Sequence, residues 1–245
     1  MESLRIVVLI NTDDPEPMRL MRESYESIFT KLAPGANVEF FNGVLDPQLP
    51  QIGPDQLYDL LVIGGGTYVP RDDAQWMKRL VEFEKKLYFD CPDQKVLGIC
   101  LGHQTMTTTL GGTLAFLPEP ELAVTPVALT EKGQAFFNKT DIQIHEFHQR
   151  SVDVCQPGFS PLAENNQILI SDSGNYLTFQ GHPEMTGEMM RCLLLSKASV
   201  ASGYIKKEVQ DDEESEARKA LLVKAGLDHD ALDIWRSILH WVRTK

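Results

Sequence analysis

The sequence predicts an α/β fold: a doubly wound, mostly parallel sheet with helices on both faces and some added antiparallel strands. Two observations carry this. Strand-like and helix-like segments alternate through the first 110 residues, as repeated βαβ units do. The strand-like segments are also nearly continuous in apolar residues, which suits strands buried on both faces.

Residues 4–11 (LRIVVLIN) are the first such strand. A helix follows over 17–31, where Leu20, Tyr25, Ile28, Phe29 and Leu32 approximate helical spacing, and Pro34-Gly35 stops it. Residues 38–41 form a short strand, and 58–63 (YDLLVI) a third that runs into Gly64-Gly65-Gly66. The stripe Trp76, Leu80, Phe83, Leu87 marks an amphipathic helix over 74–89. Residues 95–100 (KVLGIC) give a fourth strand, and 103–110 a helix closed by Gly111-Gly112. The pattern then changes. Segments 113–116, 121–129, 142–147, 151–154, 167–171 and 176–180 all read as strands with short turns, some of them antiparallel. Residues 187–204 and 229–243 are helical, and the charge-dense segment 206–217 is a solvated loop or helix face. Residues 1–245 read as one domain, with a core at 4–186 and the helices of 187–245 packed on it.

The chain has 245 residues, long enough to bury a core without disulfide or metal staples. Its formal net charge is −12, which argues against nucleic acid or an anionic membrane as the main partner. Residues 1–186 hold 25 acids and 13 bases, so the acidity belongs to the core and not to a charged tail. Four cysteines, none at C-x-x-C spacing, and no long apolar run point to a soluble, cytoplasmic protein.

Three short segments carry chemistry. Gly98-Ile99-Cys100-Leu101-Gly102-His103-Gln104 sits at a strand-to-helix junction. A nucleophile on such a turn projects above the sheet edge, and the helix N-terminus favours a thiolate at Cys100. Taken alone, the same Cys reads as a buried inert thiol. Gln180-Gly181-His182-Pro183-Glu184 ends a strand, with His182 and Glu184 on one side of extended chain. An imidazole that deprotonates a thiol needs its second nitrogen held by an acceptor such as this carboxylate. Gly64-Gly65-Gly66-Thr67 leaves backbone N–H groups unencumbered for an oxyanion hole, and no Gly-Lys-Ser/Thr follows to make a phosphate loop. His145 and His148 lie three apart with no third ligand at sensible spacing, so a strand-end pair is expected there and no metal site.

Together, and in this order, the three segments resemble class I glutamine amidotransferases. GICLGHQ is close to one family signature, QGHPE is a variant of another, and His148-Gln149-Arg150-Ser151-Val152 resembles the family's His-x-x-x-Val. The resemblance implies a flavodoxin-like domain that needs no cofactor. It makes Cys100 the nucleophile, His182 the base and Glu184 its orienter. Gly66 and Leu101 would supply oxyanion-hole N–H groups. Gly65, Thr67, Gln104, His148 and Arg150 would line the substrate site. The implied reaction is attack of Cys100 on a γ-glutamyl amide, through a thioester.

Two departures fall in the expected pocket. Thr67-Tyr68-Val69-Pro70 follows the glycines where a Pro and then a Ser or Thr are usual, and Arg150 stands where an acid is common. With no synthase domain in the chain, they favour a stand-alone γ-glutamyl hydrolase acting on glutathione-type conjugates or a pathway intermediate. A glutaminase feeding ammonia to a separate synthase partner is the alternative. A catalytically silent binding homologue is the other.

Overall fold

The computed structural model describes residues 3–66 and 74–244. Strand β1 (Arg5–Ile10) is buried from Ile6 onward. Its side chains alternate between two cores: Ile6, Val8 and Ile10 face one, Val7 and Leu9 the other. Helix α1 (Pro15–Leu32) begins at Asp14, whose carboxylate accepts from the Glu16 N–H (3.3 Å), and it carries prolines in its first turn. It buries Leu20, Met21, Tyr25, Ile28 and Phe29, and Gly35 (φ +85°) turns the chain into β2 (Asn37–Asn42).

Strand β3 (Leu60–Ile63), helix α2 (Gln75–Asp90), strand β4 (Val96–Ile99) and helix α3 (Leu101–Thr109) complete the alternating half. Helix α2 buries Trp76, Leu80, Phe83 and Leu87, the stripe read from spacing. Helix α3 starts two residues earlier than its apolar pattern suggests, because the chain turns sharply at Cys100.

In the second half, the four strand-like segments 113–154 form two long strands, β5 (Thr113–Ala128) and β6 (Asp141–Val154). They pair as a separate antiparallel ribbon, with a register shift between Phe116 and Glu121. Between them lies a short helix, α4 (Glu131–Phe137), capped by Thr130. The Gly in its first turn and its shortness hide it from a periodicity reading. Strand β7 (Phe159–Pro161) is also new, while β8 (Ile168–Ser171) and β9 (Tyr176–Phe179) fall where expected. The main sheet runs β2-β1-β3-β4-β9-β8-β7. Its first five strands are parallel; β8 and β7 are antiparallel additions at one edge.

Helices α5 (Gly187–Leu194), α6 (Lys197–Ala201), α7 (Lys207–Asp211), α8 (Glu216–Lys224) and α9 (Ala231–Arg243) follow. The charge-dense segment is thus α7 and the start of α8. Helix α9 inserts Trp235 edge-on against Tyr25 and Phe29, with ring centroids 6.0 and 5.4 Å apart. Trp235 Nε1 donates to Pro183 O (3.1 Å), which ties this helix to the His182–Glu184 turn. Asp230 stands at the start of α9, but its carboxylate accepts from the Gln143 N–H (2.7 Å) instead of capping the helix. No helix among the described residues is long and apolar enough to cross a membrane.

Candidate active site

Parallel strands with reversing order open a crevice at their carboxyl ends. Here the residues that follow β1, β3, β4 and β9 are Asn11, Gly64, Cys100 and Gln180, all at that edge. Cys100 has φ +48° and ψ −96°, a conformation that L residues avoid. Such strain costs on the order of 1–3 kcal/mol and persists only where surrounding packing imposes it. The Cys100 N–H donates to Phe179 O (2.7 Å), holding the turn to β9. Gly102 permits it, since a Cβ there would stand 2.3 Å from the backbone O of Ile63.

His182 is held on the neighbouring strand end. Its N–H donates to His145 O (2.8 Å) on β6, and its Nδ1 lies 2.8 Å from Glu184 Oε1. Burial, the largest single influence, works against a charged imidazole, but the Glu184 carboxylate and the Cys100 sulfur together outweigh it. His182 is therefore pushed well above its ordinary range. Gly65 makes room for it: a Cβ there would lie 2.6 Å from His182 Cε1 and 3.5 Å from Cys100 Cβ. Ser24 donates to Glu184 O (2.5 Å), so α1 also supports the turn.

A cavity of about 170 Å³ opens over Cys100 and His182. Thr12, Asp13 and Asp14 line one side, Met21 and Phe147 another, and Leu193, Ser196 and Ala198 close it from the C-terminal helices. Gly66 contributes to the wall, and no described residue accepts a hydrogen bond from the Gly66 or Leu101 N–H. Sequence reasoning missed the Thr12–Asp14 loop, although it follows β1 at the sheet's carboxyl edge and could have been found on that ground. Leu193, Ser196 and Ala198 carried no local signal.

The other expected site residues lie elsewhere. Thr67, with Tyr68, Val69 and Pro70, falls outside the described residues. Gln104, His148 and Arg150 are not among the described residues lining the cavity. Gln104 Nε2 donates to Arg150 O (3.0 Å) and Gln180 Oε1 (3.1 Å), bracing α3 against β6 and β9. The Arg150 guanidinium lies 5.3 Å from the centroid of the Phe116 ring. His148 Nε2 stands 2.8 Å from Glu121 Oε2 and 3.1 Å from Glu146 Oε2. Burial opposes its charge, but these two carboxylates prevail and raise it to about 10. The third and fourth groups that spacing around His145 and His148 did not reveal are these acids, one brought in from β5. His145 instead packs edge-on to His229 (4.6 Å) and is pushed down to about 3 by burial.

Residues 35–200 match the family model described as glutamine amidotransferase class-I. The glutamine amidotransferase-like protein chyE of Penicillium rubens is 32% identical over 202 residues, covering 80% of this chain and 84% of that protein. Gamma-glutamyl peptidase 4 of Arabidopsis thaliana is 26% identical over 249 residues, covering 97% and 94%. A crystal structure of a glutamine amidotransferase from Thermotoga maritima superposes with a TM-score of 0.73 at 19% identity, each chain fully covered.

Proposed function

The chain belongs to the class I glutamine amidotransferase family, and from that premise we propose that it is a cysteine-dependent hydrolase of γ-glutamyl amides. The observation that carries this reading is the strained Cys100 turn sharing one cavity with a His182 that Glu184 holds at 2.8 Å. In the proposed mechanism the Cys100 thiolate attacks the γ-carbonyl carbon of the bound amide. Charge develops on the carbonyl oxygen, and the N–H groups of Gly66 and Leu101 receive it. One such donor is worth about 3–4 kcal/mol of transition-state stabilisation. His182 gives its proton to the departing amine and then takes one from the water that hydrolyses the thioester. Glu184 holds Nδ1 protonated and steadies the imidazolium that forms between these steps.

The substrate is read as a γ-glutamyl conjugate hydrolysed without a partner protein. Similarity to a plant gamma-glutamyl peptidase across nearly the whole chain supports it. The cavity over Cys100, about 170 Å³, suits a small acyl group. Four free cysteines suit a reducing, cytoplasmic setting. The test is a comparison of glutamine, glutathione and glutathione S-conjugates as substrates, assaying glutamate and ammonia in the native protein and in Cys100→Ala. Glutamate release from conjugates, lost in the variant, is expected. Rapid ammonia release from glutamine alone points to a glutaminase instead, and turnover that survives Cys100→Ala refutes the mechanism.

A further inference from the structure

Glu121, Glu146 and His148 bring one ligand atom each within 4.8 Å of one another, away from the cavity over Cys100. Three features make this more than an acidic cluster. The first is the imidazole. Its Nδ1 lies 2.9 Å from Arg150 O, an acceptor only, so Nδ1 carries a proton and Nε2 faces the two carboxylates. A metal-bound histidine is oriented by this same kind of bond on its other nitrogen. The second is alignment. Nε2 stands 2.8 and 3.1 Å from the two carboxylate oxygens, yet neither contact has hydrogen-bond geometry. A proton bridges best along one straight line, whereas an ion beyond Nε2 meets all three atoms at once. The third is Glu146 itself. It is 1% exposed, and neither oxygen has a hydrogen-bond donor among the described residues.

Two ligands about 2.1 Å from an ion stand about 3 Å apart at the right angles of an octahedral site, and the two Nε2–oxygen distances, 2.8 and 3.1 Å, are of that size. Two carboxylates and a neutral imidazole neutralise a dication. Gln167 Nε2 donates to Glu121 Oε2 (2.9 Å), a supporting bond of the outer-shell kind. Glu121 is half-buried and gives an ion a route in from solvent. The ribbon is deformed to deliver it: the register shifts between Phe116 and Glu121, and Ala123 adopts φ +65° opposite Glu146. We propose that Glu121, Glu146 and His148 form a binding site for one divalent transition-metal ion of the zinc or manganese class, clasping β5 to β6.

The test is calorimetric titration of the chelator-treated full chain with Zn²⁺ alone, with thermal melts alongside. The native protein and Cys100→Ala should each bind one equivalent. At 100 times Kd the melting point should rise by roughly 5–10 °C. Glu121→Gln, at a half-buried position, and Glu146→Gln should each lose at least a hundredfold in affinity. The absence of stoichiometric binding to the native protein would overturn the proposal and leave His148 an imidazolium. Binding lost in Cys100→Ala but kept in Glu121→Gln would overturn it too, by placing the zinc on the thiolate.

Discussion

Replacing Gly65 by Ala tests the packing that holds the base beside the nucleophile. A Cβ at this position would lie 2.6 Å from His182 Cε1, 3.3 Å from Nδ1 and 3.5 Å from Cys100 Cβ. Carbon atoms in contact need about 3.5–4.0 Å, so the imidazole must retreat by about 1 Å. It cannot do so freely, because Nδ1 is held by Glu184 at 2.8 Å and the ring is buried. Misplacement by about 1 Å costs a catalytic constellation about 10²-fold in rate, equivalent to about 2.7 kcal/mol. Gly65 lies between elements and its φ is not positive, so Ala adds no backbone strain. Steady-state kinetics on the preferred γ-glutamyl substrate should show kcat reduced about a hundredfold, with the melting point within a few degrees of the native protein. A folded Gly65→Ala protein with native kcat would refute the placement of His182 as the base.

Glu184→Gln should lower kcat by about 10³–10⁴ while keeping the fold, since an amide can orient Nδ1 but cannot stabilise the imidazolium; NMR titration should show His182 moving down towards its ordinary range. Trp235→Ala should destabilise the protein by about 3–5 kcal/mol in denaturant melts, because Trp235 is fully buried against Tyr25 and Phe29. Activity should fall with it, as the Pro183 contact is lost. Glu84 is buried beneath α3, where burial pushes it up to about 8 against the hydrogen bonds from Thr105 and Thr109. Its folded pKa exceeds its unfolded one, so its contribution is intact below about 4.5 and is lost as pH rises to about 8, by at most about 5 kcal/mol. Glu84→Gln should therefore stabilise the protein progressively as pH rises from 5 to about 8.5, and a constant difference between the two melting curves would count against a buried, protonated Glu84.

What was legible in the sequence was local. Continuous apolar runs such as 4–11 announce strands buried on both faces, and β1 is buried from Ile6 to Ile10. The Cys100 turn declares itself through flanking glycines, of which Gly102 has backbone within 2.3 Å of where a Cβ would be. His182 and Glu184 lie two apart, so their pairing needs no distant information. What was not legible depends on long-range register. The join of 113–116 to 121–129 requires a bulge that only the partner strand defines. The meeting of Glu121 with His148 crosses that ribbon, and the bulge shifts its register. The cavity wall at Leu193, Ser196 and Ala198 depends on how two short helices dock, which periodicity does not encode. Gln104 and Arg150 were expected to face substrate, whereas Gln104 and the Arg150 carbonyl brace the strands that carry the site.

The central step of the proposed reaction is a covalent bond between Cys100 and a γ-glutamyl group. Rapid quenching of the enzyme with a turned-over γ-glutamyl amide, followed by intact-mass analysis and peptide mapping, tests this directly. The predicted result is an adduct of one glutamyl acyl group on the peptide containing Cys100, sensitive to hydroxylamine and absent in Cys100→Ala. Turnover with no adduct, or an adduct on another residue, would contradict it.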